Sequence, residues 1–268
     1  MKTIRSVSPW TEEVLSEHQP HSPEEVKNKL EKIRQAQFKW KKTNFQERSK
    51  VMRDLATVLR DQRDTYAQLI HLEMGKSVAE SLAEIEKCAS CADYYAEYGE
   101  RFLRRISVVT EAKDSFIAFE PLGTVLAIMP WNFPFWQAFR AAIPAIFSGN
   151  GMALKHASNV SGCALAIEKI WQAVLDHKDL FQTFLLPAQE AQKLIAHPYI
   201  SAVTFTGSTP AGKAIAKEAG ANIKKCVLEL GGSDPFLVFE DADVELAAKM
   251  ATKSRLLNNG QSCISAKR

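Results

Sequence analysis

The chain has 268 residues, 46% of them apolar and 24% charged, the balance of a globular protein with a real core, organised as one large or two modest domains. A net charge of +3 with both signs interspersed excludes the concentrated basic face that nucleic acid requires. No apolar run approaches the roughly 20 residues of a membrane span, and the opening MKTIRSVSPWTEEVL lacks an apolar signal region, so a cytoplasmic location is the default expectation.

Five cysteines, an odd and scattered set, argue for a reducing compartment over a disulfide framework. Cys88 and Cys91 form a C-x-x-C inside a helical pattern, with no second pair and no histidine at ligand spacing. They read as helix-face cysteines ahead of a zinc or redox pair, and no metal site is expected.

The first hundred residues read as helix. Ser22-Pro23-Glu24-Glu25 is a helix start, with an N-cap serine, proline at the first helical position and a capping glutamate, followed by Val26, Leu30, Ile33 and Ala36 at helical spacing. A second helical stretch from about Gln46 carries Val51, Leu55, Val58 and Leu59 and is expected to stop at Met74-Gly75. A third, from about Val78, lines up Leu82, Ile85, Ala89, Ala92 and Tyr95. Residues 105–120 change character: Ile106 to Thr110 and Ser115 to Phe119 are β-prone runs around Glu111-Ala112-Lys113-Asp114, a predicted hairpin. Because an isolated hairpin is marginal in water, it is expected to pair with something else.

From Gly123 the pattern alternates. Strands are expected at Thr124 to Met129, Met152 to Leu154, Phe181 to Leu186, Ala202 to Thr206 and Cys226 to Leu230. Helices are expected at Phe135 to Phe147, Ser161 to Leu175, Ala188 to Ala196 and Thr209 to Ala219. That alternation predicts an α/β fold with a parallel sheet, which binds ligands at the carboxyl ends of its strands. The glycine-rich G-x-G-x-x-G fingerprint of dinucleotide sites is absent, and the last residues, Cys263 to Arg268, read as the opening of a helix.

Several strand ends carry residues suited to chemistry. Asn259-Gly260-Gln261-Ser262-Cys263 puts a cysteine after a glycine turn, at an expected helix N-terminus where the dipole would favour the thiolate; alone, an ordinary buried cysteine is the commoner explanation. Met129-Pro130-Trp131-Asn132-Phe133-Pro134 holds an asparagine between two prolines, either a preorganised oxyanion donor or an Asx-turn residue. Leu228-Glu229-Leu230-Gly231-Gly232 ends an apolar strand on a carboxylate, read as a partly desolvated general base or as the partner of a lysine. Thr206-Gly207-Ser208-Thr209 offers a glycine and a capping serine for phosphate at a helix start, and Lys155 is placed to reach ribose hydroxyls or to be solvated.

The order of these motifs (PWNFP, a strand-end lysine, FTGS, ELGG and GQSC, each after a sheet strand) resembles the aldehyde dehydrogenase superfamily from about Ser22 to Arg268, nearest in pattern to its NAD(P)+-dependent succinate-semialdehyde dehydrogenases. The resemblance implies that Cys263 is the nucleophile forming a thiohemiacetal and then a thioester. It makes Asn132 an oxyanion donor alongside the Cys263 amide, and Glu229 the base that activates water. Met129, Pro130, Trp131, Lys155, Ser158, Gly207, Ser208 and Leu230 would line an NAD or NADP site. The implied fold is a doubly wound parallel sheet, a Rossmann variant with a protruding hairpin. Residues 1–104 and 121–231 would form the coenzyme-binding domain, 105–120 an oligomerisation hairpin of a homo-oligomer, and 232–268 the start of a catalytic domain whose remainder is absent, so that the 268 residues alone are expected to be inactive. An acylating dehydrogenase is the nearest rival, disfavoured by the intact ELGG glutamate; a non-catalytic relative would not need Cys263, Asn132 and Glu229 together.

Two further expectations rest on single positions. NAD-selective relatives commonly carry glutamate at the place of Ser158, and serine there removes a charge that would repel a 2′-phosphate, so NADP+ is expected to be accepted. Arg140, a lone cation in an apolar helix eight residues beyond Asn132, can face the same cleft and pair with a substrate carboxylate, which favours succinate semialdehyde; the other reading is a structural or snorkelling arginine. Some family members have a second arginine six residues before the nucleophile, where this chain has Leu257, with Arg255 two residues earlier.

Overall fold

Six consecutive buried or nearly buried residues, Thr124 to Met129, form the central strand of the molecule, and the fold is arranged to cover both of its faces. In the computed structural model, which describes residues 3–268, the chain opens with an antiparallel pair, β1 (Ile4–Val7) and β2 (Val14–His18). Four helices follow: α1 (Pro23–Trp40), α2 (Phe45–Asp61), α3 (Arg63–Met74) and α4 (Val78–Leu103). A short pair, β3 (Ile106–Ser107) and β4 (Phe116–Ile117), leads into the sheet. The α/β part then runs β5 (Thr124–Met129), α5 (Pro134–Phe147), β6 (Gly151–His156), α6 (Ser161–Val174), β7 (Phe181–Thr183), α7 (Ala188–Leu194), β8 (Ile200–Gly207), α8 (Thr209–Ala221) and β9 (Lys225–Leu230). A last helix, α9 (Val244–Leu256), follows.

The sheet has the order β7-β6-β5-β8-β9 and is parallel throughout. Alternate β5 side chains enter two different cores. Val125, Ala127 and Met129 pack with α2, α4, α5 and α6 on one face. Leu126 packs with Leu30 and Ile33 of α1, Phe205 of β8 and Ile215 of α8 on the other. Burial on both faces is why these strands read as continuous apolar runs.

The α1 start is as expected: the Ser22 side chain accepts from the Glu25 N–H and the Glu25 carboxylate from the Ser22 N–H. Gly75 ends α3 in the left-handed region at φ 84°, where an added Cβ would also strike the Pro9 ring. Two expectations are corrected. The first residues form the β1–β2 hairpin, not helix; it turns through Glu12 at φ 60° and docks by Ser6 on the Asn159 carbonyl. The single helix expected to end at Met74 is two, because the backbone at Gln62 (φ −111°, ψ 17°) leaves the helical basin. The 105–120 hairpin forms where expected, with two residues paired per strand, and among the described residues it joins no other strand.

His156, the last residue of β6, ties the sheet to the segment after β5. Its Nε2 lies 2.7 Å from the Pro134 carbonyl, and its Nδ1 accepts from the Ala157 N–H at 2.9 Å. A carbonyl only accepts and an amide only donates, so both contacts hold only for the neutral ring with hydrogen on Nε2. Burial pushes the His156 pKa from 6.5 down to about 4. The unfolded chain therefore takes up the proton first as pH falls, and stability present above pH 6.5 is lost down to pH 4. That loss is expected to be roughly 3 kcal/mol for this group, with His21 and His197, also lowered by burial, acting in the same direction. Urea titrations across this window should show a shallower decline for His156→Gln than for the parent; parallel declines would contradict the assignment.

Candidate active site

The chain builds β5, β6 and β7 outward in one direction, then returns to lay β8 against the other edge of β5. The connections leaving β5 and β8 thus diverge and open a crevice at their carboxyl ends, where open α/β sheets take ligands. A cleft of about 490 Å³ lies there, lined by Pro130, Trp131 and Asn132 after β5, by Thr206, Gly207 and Ser208 at the end of β8, by Leu230 and Gly231, and by Gly260 to Cys263. Four motifs far apart in the chain meet in it.

Asn132 precedes α5, whose N-terminus starts on Pro134. No side chain of the adjoining N-cap residue, Phe133, closes that end. Instead the buried Glu84 of α4 accepts from the Phe135 and Trp136 N–H groups at 2.7 and 2.8 Å. The Asn132 Nδ2 donates to the Gln261 carbonyl at 2.8 Å. An amide nitrogen carries two hydrogens, so one remains for an oxyanion. The Asn132 Oδ1 is buried and, among the described residues, has no partner.

Cys263 is a free, half-buried thiol in the cleft wall. Its expected helix N-terminus is corrected: α9 lies before it, and Cys263 sits in a turn after Asn258, Asn259 and Gly260, all at positive φ. The residues beyond it run beside 234–236 instead of coiling, through the Asp234–Ala266 bridge and a Phe236 N–H donated to the Arg268 carbonyl. Lys267 fastens this arrangement by donating to the Cys263 carbonyl at 2.9 Å and the Gly232 carbonyl at 2.8 Å.

Glu229 is at the end of β9, as expected, but its desolvation is corrected: β9 is an edge strand and the side chain is 52% exposed. Its partner is Arg140, whose Nη1 lies 3.3 Å from the Glu229 Oε1, while its Nη2 donates to Thr206 Oγ1 at 3.2 Å and Gln137 Oε1 at 3.3 Å. Arg140 does not itself line the cleft; it touches the cleft wall through Thr206. Its carboxylate partner here is internal. Arg255 donates to the Gly260 carbonyl at 3.0 Å, which keeps it on the cysteine loop, and Leu257 is exposed.

Of the residues expected to hold a cofactor, Pro130, Trp131, Gly207, Ser208 and Leu230 line the cleft. Ser208 caps α8 by accepting from the Ala211 N–H, and α8 packs so closely on β9 that a Cβ on Gly212 would come within 2.5 Å of Leu230. Met129 is core, at the end of β5. Lys155 lies on β6 beside Ile128 and is buried rather than solvated; burial lowers its pKa, and it makes no ion pair among the described residues. Ser158 is exposed in the turn after β6. Cys88 and Cys91 are on α4, where burial pushes the Cys91 thiol up to about 11 and Cys88 well above its ordinary value. No helix among the described residues is long and apolar enough to cross a membrane.

Sequence reasoning missed the polar residues behind the site. Glu73 and Lys76, either side of the α3–α4 junction, are both buried. Glu73 accepts from the Gly162 and Cys163 N–H groups at the start of α6, and Lys76 donates to Glu84 and to Asn258. Their only signal was a charge, Glu73 in the last turn of a helix and Lys76 in the linker after it, which reads as a solvated position.

The Aldehyde dehydrogenase family model matches residues 1–268. A protein of Synechocystis named probable succinate-semialdehyde dehydrogenase (NADP(+)) is 47% identical over 265 residues, 99% of this chain and 58% of that protein. Escherichia coli succinate semialdehyde dehydrogenase (NAD(P)+) Sad is 43% identical over 263 residues, 98% of this chain and 57% of that protein. The crystal structure of succinic semialdehyde dehydrogenase from Streptococcus pyogenes, in complex with NADP+, superposes with a TM-score of 0.95 at 34% identity, over 99% of this chain and 58% of that one. The chain thus spans a little under three fifths of the relatives it matches. With the match running over every residue and the same fold in solved members, this chain belongs to the aldehyde dehydrogenase family.

Proposed function

We propose that the protein containing this chain oxidises a small carboxylate-bearing aldehyde, succinate semialdehyde above others, to the free acid with NADP+ or NAD+. The observation that carries the reading is the meeting of Asn132 and Cys263 in one cleft, with the Asn132 amide anchored two residues before the cysteine. Cys263 adds its thiolate to the aldehyde carbon, a C–S bond forms, and the π pair moves to oxygen. The free Asn132 N–H hydrogen-bonds that oxygen, a donor of the kind whose loss costs about 10²–10³ in rate. After oxidation the acyl group stays on Cys263 as a thioester. Glu229 takes a proton from water, whose oxygen attacks the thioester carbon; the C–S bond breaks and the acid leaves.

The residues present fit a dinucleotide. The thirteen-residue α8 presents its capped N-terminus to the cleft beside Gly207 and Ser208, a place for phosphate, and the buried Lys155 lacks an anionic partner among the described residues. Trp131 and Leu230 supply apolar walls. The bound nicotinamide cofactor supplies the two-electron oxidation. The exposed hairpin, with Ile106, Val109, Phe116 and Ile117 facing solvent, is suited to joining copies of the protein into a homo-oligomer. Helix α9 buries none of its residues and Val238 and Phe239 are exposed, so little activity is expected of residues 1–268 alone.

Two outcomes are expected of the full-length protein. Arg140→Leu should raise KM for succinate semialdehyde by on the order of tenfold or more, the value of one charge-assisted contact, while KM for butanal stays nearly constant. Loss of the Glu229 ion pair would act on both substrates alike, so equal effects would mean that Arg140 only holds Glu229. Steady-state kinetics should also show turnover with NADP+, and Ser158→Glu should lower kcat/KM for NADP+ by about tenfold or more while sparing NAD+. An enzyme with no NADP+ turnover would refute the cofactor assignment.

A further inference from the structure

Lys76 is among the largest side chains buried without any exposure, and its contacts end at the catalytic loops. Its ammonium donates to Glu84 Oε2 and to Asn258 Oδ1, the latter at 2.9 Å, and lies 4.6 Å from the centre of the Phe133 ring, so all three hydrogens have a counterpart. Glu84 Oε1 takes the first two N–H groups of α5 offered by Phe135 and Trp136. Asn258, at φ 58° in the cysteine loop, donates through Nδ2 to the Asn132 carbonyl at 2.8 Å, with the Gln261 carbonyl 3.4 Å away. Its own N–H donates to Glu80 Oε1 at 2.6 Å.

These bonds close a circuit: the start of α5, Glu84, Lys76, Asn258, and back to Asn132. Two segments 126 residues apart, one carrying Asn132 and one carrying Cys263, are thereby held in one register. A buried ion pair contributes little net stability, since well-packed apolar groups of the same volume do as well. What directional bonds add is placement, and a displacement of about 1 Å in a catalytic group can cost a hundredfold in rate.

We propose that Lys76, Glu84 and Asn258 are positioning residues for aldehyde oxidation, a buried relay that sets the Asn132 oxyanion donor against the Cys263 loop. None of the three lines the cleft. The proposal rests on the functional reading above, in which Asn132 and Cys263 act on the aldehyde.

Asn258→Asp in the full-length enzyme tests it. Aspartate keeps an oxygen for Lys76 and tolerates positive φ, but has no hydrogen for the Asn132 carbonyl. Expected is a fall in kcat of about tenfold or more, with KM for aldehyde and for NADP+ changed by less than about threefold. If Asn258→Asp does not fold, Asn258→Gly, which adopts the same backbone, should give the same split. The double variant with Asn132→Ala separates positioning from general loosening: its kcat should match Asn132→Ala alone within about threefold, because Asn258 acts through Asn132. A folded Asn258 variant with the parent kcat, or effects that multiply in the double variant, would overturn the proposal. A parent enzyme that oxidises no aldehyde, or an Asn132→Ala variant with the parent kcat, would overturn the functional reading and this proposal with it.

Discussion

A parallel sheet buried on both faces must be wound by helices on each side, and the winding must reverse somewhere to cover both. Here it reverses between β5 and β8, and the crevice this leaves is where PWNFP, FTGS, ELGG and GQSC converge. Apolar β5 side chains alternate into two cores, so the strand cannot shift by one residue without exchanging its faces. The residue that follows it, and hence Asn132, inherits that fixed register.

Burying helix starts in such a fold leaves N–H groups that need acceptors. Two carboxylates from the α3–α4 region meet the need at two of the helices packed on the sheet: Glu73 closes α6 and Glu84 closes α5. Both sit where the helix dipole favours a negative charge. His156 adds a third fixed contact, on the Pro134 carbonyl, so the PWNFP segment is held from the α4 side and from the β6 side. The PWNFP segment is fixed by these buried polar contacts as much as by its two prolines.

What could be read in the sequence was local. The Ser22 and Ser208 caps, the Gly75 stop and the five strands from Thr124 onward each depend on residues within a few positions of one another. The β1–β2 hairpin was hidden because Thr11-Glu12-Glu13 carries no hairpin turn signal and β2 is largely exposed. Helix α9 gave no periodic apolar face because it buries none, and the break at Gln62 has neither glycine nor proline to mark it. Lys76, Glu84 and Asn258 were invisible for another reason: the Lys76–Asn258 contact joins positions 182 apart, and a lone polar side chain in a helix or linker carries no sign of its partner. Glu229 shows the limit from the other side, since its place at a strand end was legible but its exposure and its Arg140 partner were not.

In the proposed reaction Cys263 carries the acyl group. Acid quenching of the full-length enzyme during turnover of succinate semialdehyde with NADP+, followed by peptide mass spectrometry, tests it directly. A succinyl thioester is expected on the peptide containing Cys263, with the half-buried Cys226 and Cys91 unmodified, and Cys263→Ala should lose both the adduct and turnover. Sustained turnover by Cys263→Ala, or an adduct on a different cysteine, would contradict the account.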